Sequence, residues 1–128
     1  MNKTLIAIIV LLLLGVGVYF LFYNQDDSAS GSDVKVFSLT GEEFKFVMNG
    51  VDNPNIIVNE GDKVRIEFAS TQGFHDWVLD EFDATTEKVN EGDSTSVEFI
   101  ADKKGTFEYY CSVGQHRANG MKGIFIVQ

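Results

Sequence analysis

Apolar and polar side chains alternate in short stretches through most of this chain, and one stretch near its start does not alternate at all. Val64, Ile66 and Phe68 are interleaved with Lys63, Arg65 and Glu67, the period-two pattern of a half-buried strand. Val97 and Phe99 alternate with Ser96 and Glu98 in the same way, and Phe107, Tyr109 and Cys111 share one face of the segment 105–111. The last stretch, 123–127, is a nearly continuous apolar run. Turn formers separate these stretches: Asn49-Gly50, Asp52-Asn53-Pro54-Asn55, Glu60-Gly61-Asp62, Glu91-Gly92-Asp93 and Lys104-Gly105. Roughly six or seven short strands with turns at this density predict an all-β antiparallel Greek-key sandwich or barrel. No amphipathic helix of useful length is present, and 71–73 and 80–90 read as the longer loops.

The exception is Leu5 to Tyr23, a run of 19 residues with no charge and no Pro. As a helix it would be about 28 Å long, close to the hydrocarbon thickness of a bilayer. Residues 1–24 are therefore expected to form an N-terminal transmembrane helix, the flexible, small and acidic stretch 25–33 a tether, and residues 34–128 one small domain. Lys3 precedes the run and only acids follow it closely, so the short N-terminus is assigned to the cytoplasm and the domain to the outside, in the periplasm or at the cell surface. A cleaved signal ending near Ser28-Ala29-Ser30 is the competing reading, and it exports the domain as well.

Charge narrows the partners. The whole chain has a formal charge of −9, and residues 34–128 carry 16 acidic and 9 basic side chains. A nucleic-acid partner requires a basic face, and the few cations here are scattered among acids. Cys111 is the only cysteine, which excludes an intrachain disulfide, a four-cysteine zinc site and a Cys-x-x-Cys redox pair. A lone thiol outside the cytoplasm is prone to oxidation unless something occupies it.

The segment from Cys111 to Met121, CSVGQHRANGM, supplies such an occupant. A thiolate, the imidazole of His116 and the thioether of Met121 lie within eleven residues, after one strand and before another. Soft sulfur with imidazole is the donor set copper prefers, and two His, one Cys and a weak axial Met make the blue-copper arrangement. The second His has one candidate, His75, because the chain has only two.

The stretch from His75 to Val127 resembles the copper-binding half of the cupredoxins, the family of plastocyanin, azurin, auracyanin and rusticyanin. The spacing C-x4-H-x4-M is similar to the auracyanin and rusticyanin type, and Gly105-Thr-Phe-Glu-Tyr-Tyr-Cys111 resembles the family's strand leading to its Cys ligand. The stretch from Val34 to Phe68 matches only in strand pattern. The resemblance implies His75, Cys111 and His116 as strong ligands of one copper ion and Met121 as the axial one. One position departs from it: many members have Asn after the first His, and this chain has Asp76. Asp76 could still accept a hydrogen bond from Ser112, but it adds negative charge near the metal, so the family's potentials do not transfer.

Each residue also has a plainer role to weigh. Cys111 could be an inert buried thiol, His75 and His116 ordinary histidines, and Met121 core filling. Trp77, Phe107 and Tyr109 read as core rather than electron relays, and the acids at 80–83 as a solvated loop. Three strong ligands plus an axial sulfur leave no open position for substrate, which points to a Cu(I)/Cu(II) electron carrier rather than an enzyme. The expected partners are membrane-associated redox proteins met by a monomer, with one edge of His116 at the surface inside a small apolar patch of Val113, Gly114, Ala118 and Gly120. Copper storage or delivery with the same ligands is the alternative. A Cys-His thiol enzyme has no evident orienting residue, and a metal-free adhesive sandwich is the structural alternative.

Overall fold

A computed structural model of the chain describes residues 33–128. The apolar run at 5–23, and with it the expected transmembrane helix and nearly all of the tether, lies outside the described residues. Among the described residues no helix is long and apolar enough to cross a membrane.

The domain is a sandwich of two five-stranded sheets. Ten strands follow in chain order: β1 (Val34–Glu42), β2 (Lys45–Met48), β3 (Val51–Asp52), β4 (Ile56–Val58), β5 (Lys63–Ser70), β6 (Val78–Leu79), β7 (Ala84–Thr85), β8 (Ser94–Ile100), β9 (Gly105–Tyr110) and β10 (Lys122–Val127). One sheet has the order β3-β2-β1-β5-β8 and the other β4-β10-β9-β6-β7. The alternation at 63–68 is realised as expected: Val64, Ile66 and Phe68 are buried, and Lys63, Arg65 and Glu67 are not. Asn49 and Gly50, with φ of 52° and 77°, close the two-residue hairpin between β2 and β3, the left-handed pair that such a turn requires.

The strand count is ten rather than six or seven, because the two-residue strands β3, β6 and β7 are too short to show a period. Two further features differ from the sequence expectation. The sheets are mixed, because β1 runs parallel to β5 and β10 parallel to β4. Side-chain alternation reports which face a residue occupies, not the direction of the neighbouring strand. The parallel pairs arise because β2, β3 and β4 lie between β1 and β5 in the chain, and β4 has crossed to the other sheet. The stretch 80–90 is also more ordered than a loop: a 3-10 turn at Asp80–Phe82 leads into β7, which pairs back onto β6. The turn ends on Asp83, left-handed at φ 50°, and Thr86 Oγ1 accepts the Trp77 amide at 2.9 Å.

The core lies between the sheets, with Phe46, Ile66, Phe68, Trp77, Tyr109 and Phe125 among its largest members. Trp77 stacks on Tyr109 with ring centroids 5.6 Å apart, and the Tyr109 hydroxyl donates to the Pro54 carbonyl. Both aromatics are fully buried, in agreement with the core role read for them. They fix the backbone two residues from His75 on one side and two residues from Cys111 on the other.

Candidate metal centre

His75 precedes β6, Cys111 follows β9 directly, and His116 sits in the turn that leads to β10. β6 pairs with β9 through Val78 and Tyr110, so the two segments that bear His75 and Cys111 are neighbours in one sheet. His75 is also held by a two-way backbone bridge: its N–H donates to Val89 O at 3.1 Å and it accepts from Val89 N at 2.8 Å.

The loop from Cys111 to Met121 closes on itself. Cys111 N donates to Met121 O at 3.1 Å, Met121 N to His116 O at 3.0 Å, and His116 N to Val113 O at 3.0 Å. Arg117 ties it to β9, donating to Glu108 at 2.8 Å while its guanidinium lies 3.7 Å from the centre of the Tyr110 ring. From the other side Asn53 donates to Gly120 O and accepts the Phe46 amide. Asp76 joins the segments that carry His75 and Cys111, accepting from Ser112 as anticipated: Ser112 N–H donates to its Oδ1 at 2.7 Å and the Ser112 hydroxyl to its Oδ2.

Three of the four residues singled out by sequence converge. His75 Nδ1 and His116 Nδ1 are 3.1 Å apart, and Cys111 Sγ is 3.8 Å from the first and 3.6 Å from the second. A point equidistant from these three atoms lies about 2 Å from each, close to the metal–nitrogen and metal–sulfur bond lengths of roughly 2.0–2.3 Å seen with zinc. His75 and Cys111 are buried and His116 is half-exposed. Met121, the fourth, is fully buried and bonded through its backbone to both Cys111 and His116.

The protonation pattern suits a metal. His75 Nε2 lies 2.5 Å from the Gln72 carbonyl oxygen, which can only accept, so Nε2 carries the proton and Nδ1 presents its lone pair to the cluster. Burial holds the His75 imidazole below its usual pKa and pushes the Cys111 thiol up. Two imidazole nitrogens and a thiolate sulfur at these separations fit one copper ion.

The model of the copper-binding proteins of the plastocyanin/azurin family matches residues 34–128. The chain is a cupredoxin. Its membership extends over the whole domain, beyond the half in which the sequence resemblance is specific. Among solved structures this cupredoxin is similar to auracyanin B, at 20% identity with a TM-score of 0.63, over 77% of this chain and 91% of that one. Auracyanin A of Chloroflexus aurantiacus matches with the same identity and score over 75% and 100%, and reduced auracyanin of Roseiflexus castenholzii at 19% and 0.63 over 77% and 99%. At that identity the likeness establishes the fold. No curated protein matches.

Several residues of the site escaped sequence reasoning. Phe44 and Phe74, 37% and 42% exposed, flank the half-exposed His116, and the Phe44 ring meets that imidazole edge-on at 5.3 Å. Phe44 occupies the tip of the β1–β2 hairpin at φ 60°, a conformation that a bulky side chain rarely adopts. An aromatic where a turn favours Gly or Asn was the one available signal. Gln72 acts through its backbone and Asn53 through a contact 67 residues away, so neither leaves a local mark.

Proposed function

We propose that this cupredoxin is a membrane-anchored electron carrier whose domain faces the extracytoplasmic side. His75, Cys111 and His116 would hold a copper ion, and the Met121 thioether would be a weaker fourth donor. The observation that carries the copper reading is the partly buried triangle of two Nδ1 atoms and one Sγ, with the His75 tautomer set by Gln72. Bound copper supplies a one-electron Cu(II)/Cu(I) couple.

The protein's part is to hold the donors in place. The self-bonded loop, the Arg117 and Asn53 ties and the Asp76–Ser112 link fix the donors from four directions, so little need rearrange when charge changes. Four donors leave no position for substrate, which supports a carrier rather than an enzyme. His116 is the ligand nearest solvent, and Phe44, Phe74 and Val113 surround it with apolar surface suited to brief docking of a redox partner. The patch is thus built by the β1–β2 hairpin and the residue before His75 as well as by the ligand loop. A monomer anchored by residues 1–24 would remain close to membrane-bound donors and acceptors.

The test is to express the full chain, fractionate the cells and titrate the detergent-solubilised protein with Cu(II) beside Cys111→Ala. The expected result is a chain in the membrane fraction with an intense thiolate-to-copper band and narrow copper hyperfine splitting at one copper per chain, lost in the variant. Recovery in the soluble fraction would remove the anchor. Weak binding indifferent to the mutation would remove the copper site, and rapid loss of Cu(I) to a chelator would favour delivery over electron transfer.

A further inference from the structure

Asp76 is 1% exposed, and both oxygens of its side chain are engaged by the two donors of Ser112. It stands one residue after His75 and bonds the residue after Cys111, so it touches both arms of the metal centre. None of the ion pairs among the described residues includes it; Lys45, Lys63, Arg65, Lys104 and Arg117 pair instead with Glu42, Asp52, Glu60, Glu67, Glu98 and Glu108. A buried carboxylate without a cation is expensive, and a neutral amide of the same shape could still accept the Ser112 amide. The hydrogen bonds alone therefore do not account for a charge at this position.

Cys111 binds metal as a thiolate, which places a second negative charge beside the first. No Lys or Arg among the described residues balances either by an ion pair, so the balance must come from the metal. With both groups charged, a divalent ion leaves the site neutral and a monovalent ion leaves it at minus one. Reduction adds one electron from a partner's one-electron donor and neither makes nor breaks a bond. The added charge therefore accumulates next to the carboxylate.

We propose that Asp76 is a fixed counter-charge that biases this centre towards Cu(II) and towards divalent over monovalent ions, making the protein a low-potential carrier. The inference rests on the copper reading above. A unit charge this close to the ligands in a buried site is only weakly screened. Its removal is expected to lower the ratio of Cu(II) to Cu(I) binding constants at least tenfold, which is 59 mV for a one-electron couple.

The test compares the full chain with Asp76→Asn and Asp76→Ser, which remove the charge, and with Ser112→Ala, which keeps the charge and removes one hydrogen bond. Voltammetry of the copper-loaded proteins reads the potential. Competition titrations with Zn(II) and Ag(I) read the preference for divalent over monovalent ions without redox chemistry. The uncharged variants are expected to keep the thiolate-to-copper band, to rise by at least 59 mV, and to lose Zn(II) affinity at least tenfold more than Ag(I) affinity. Ser112→Ala should move each ratio less than threefold. An unchanged or lower potential in whichever uncharged variant folds, or an equal rise in Ser112→Ala, overturns the proposal while the band shows the copper site intact. Absence of the band in the unmutated chain overturns both.

Discussion

At the scale of single residues, burial drives the two innermost candidate ligands in opposite directions. Desolvation keeps His75 neutral, which is the form that binds metal, and keeps Cys111 protonated, which is the form that does not. Copper uptake near neutral pH must therefore expel a proton from Cys111. Apparent affinity is expected to rise about tenfold per pH unit through neutral pH and to keep rising past the usual thiol value of about 8.5, because the Cys111 pKa is raised. Titration calorimetry in two buffers of different ionisation heat would count that proton, and a count of zero at pH 7.5 would mean that Cys111 is not the ligand or is already a thiolate. In the metal-free protein the same shifts act on stability with opposite signs. His75, with its folded pKa depressed, contributes stability that is present above about pH 6.5 and lost as the pH falls through the folded value. Cys111, with its folded pKa raised, contributes stability that is present below about pH 8.5 and lost as the pH rises through the folded value.

At the scale of elements, the centre depends on how β9 and β10 lie together. Gly123 pairs with Tyr109 across them, and a methyl group at 123 would overlap the Tyr109 ring. That ring has little freedom to withdraw, since it packs on Trp77 and Phe46 and its hydroxyl is bonded to Pro54. Gly123→Ala should therefore destabilise the domain by about 1–3 kcal/mol, the usual cost of overpacking, seen as a lower denaturant midpoint at constant slope. An unchanged midpoint would show that the ring moves aside. The same pair illustrates what sequence can disclose. The alternation of β5 and the face shared by Phe107, Tyr109 and Cys111 were legible because period two survives in any strand with one buried side. The two-residue strands β3, β6 and β7 are too short to show a period, and the parallel pairing of β1 with β5 is a property of the path between them. The cluster of His75, Cys111 and His116 was legible because one loop holds Cys111 and His116 close together and the chain has only one other His. Phe44, Asn53 and Gln72 were not, because tertiary contacts alone give them their roles.

At the scale of the whole domain, the charge and the apolar patch work against each other. Residues 34–128 carry seven more acidic than basic side chains, so two copies repel at a distance. Around His116, however, the surface is a depression of about 310 Å³ bordered by Phe44, Phe74 and Val113, with Glu43 its one acidic neighbour. A carrier that exchanges electrons through this face should show self-exchange that speeds up with added salt, as screening removes the repulsion and leaves the apolar contact. Phe44→Asp tests the face with little cost to the fold, because Asp tolerates the left-handed backbone that Phe44 occupies better than Phe does. It removes an exposed ring from the contact and puts a charge beside His116, and it should slow self-exchange at least tenfold at low salt, measured by NMR line broadening between Cu(I) and Cu(II) forms. The thiolate-to-copper band should persist, since Phe44 meets His116 only edge-on and provides no ligand atom. A rate indifferent to the substitution would move the electron's exit away from His116. Tyr110 would then be the next surface to test, because it precedes Cys111 in the chain and reaches Asp80 and Arg117 at the domain's exterior.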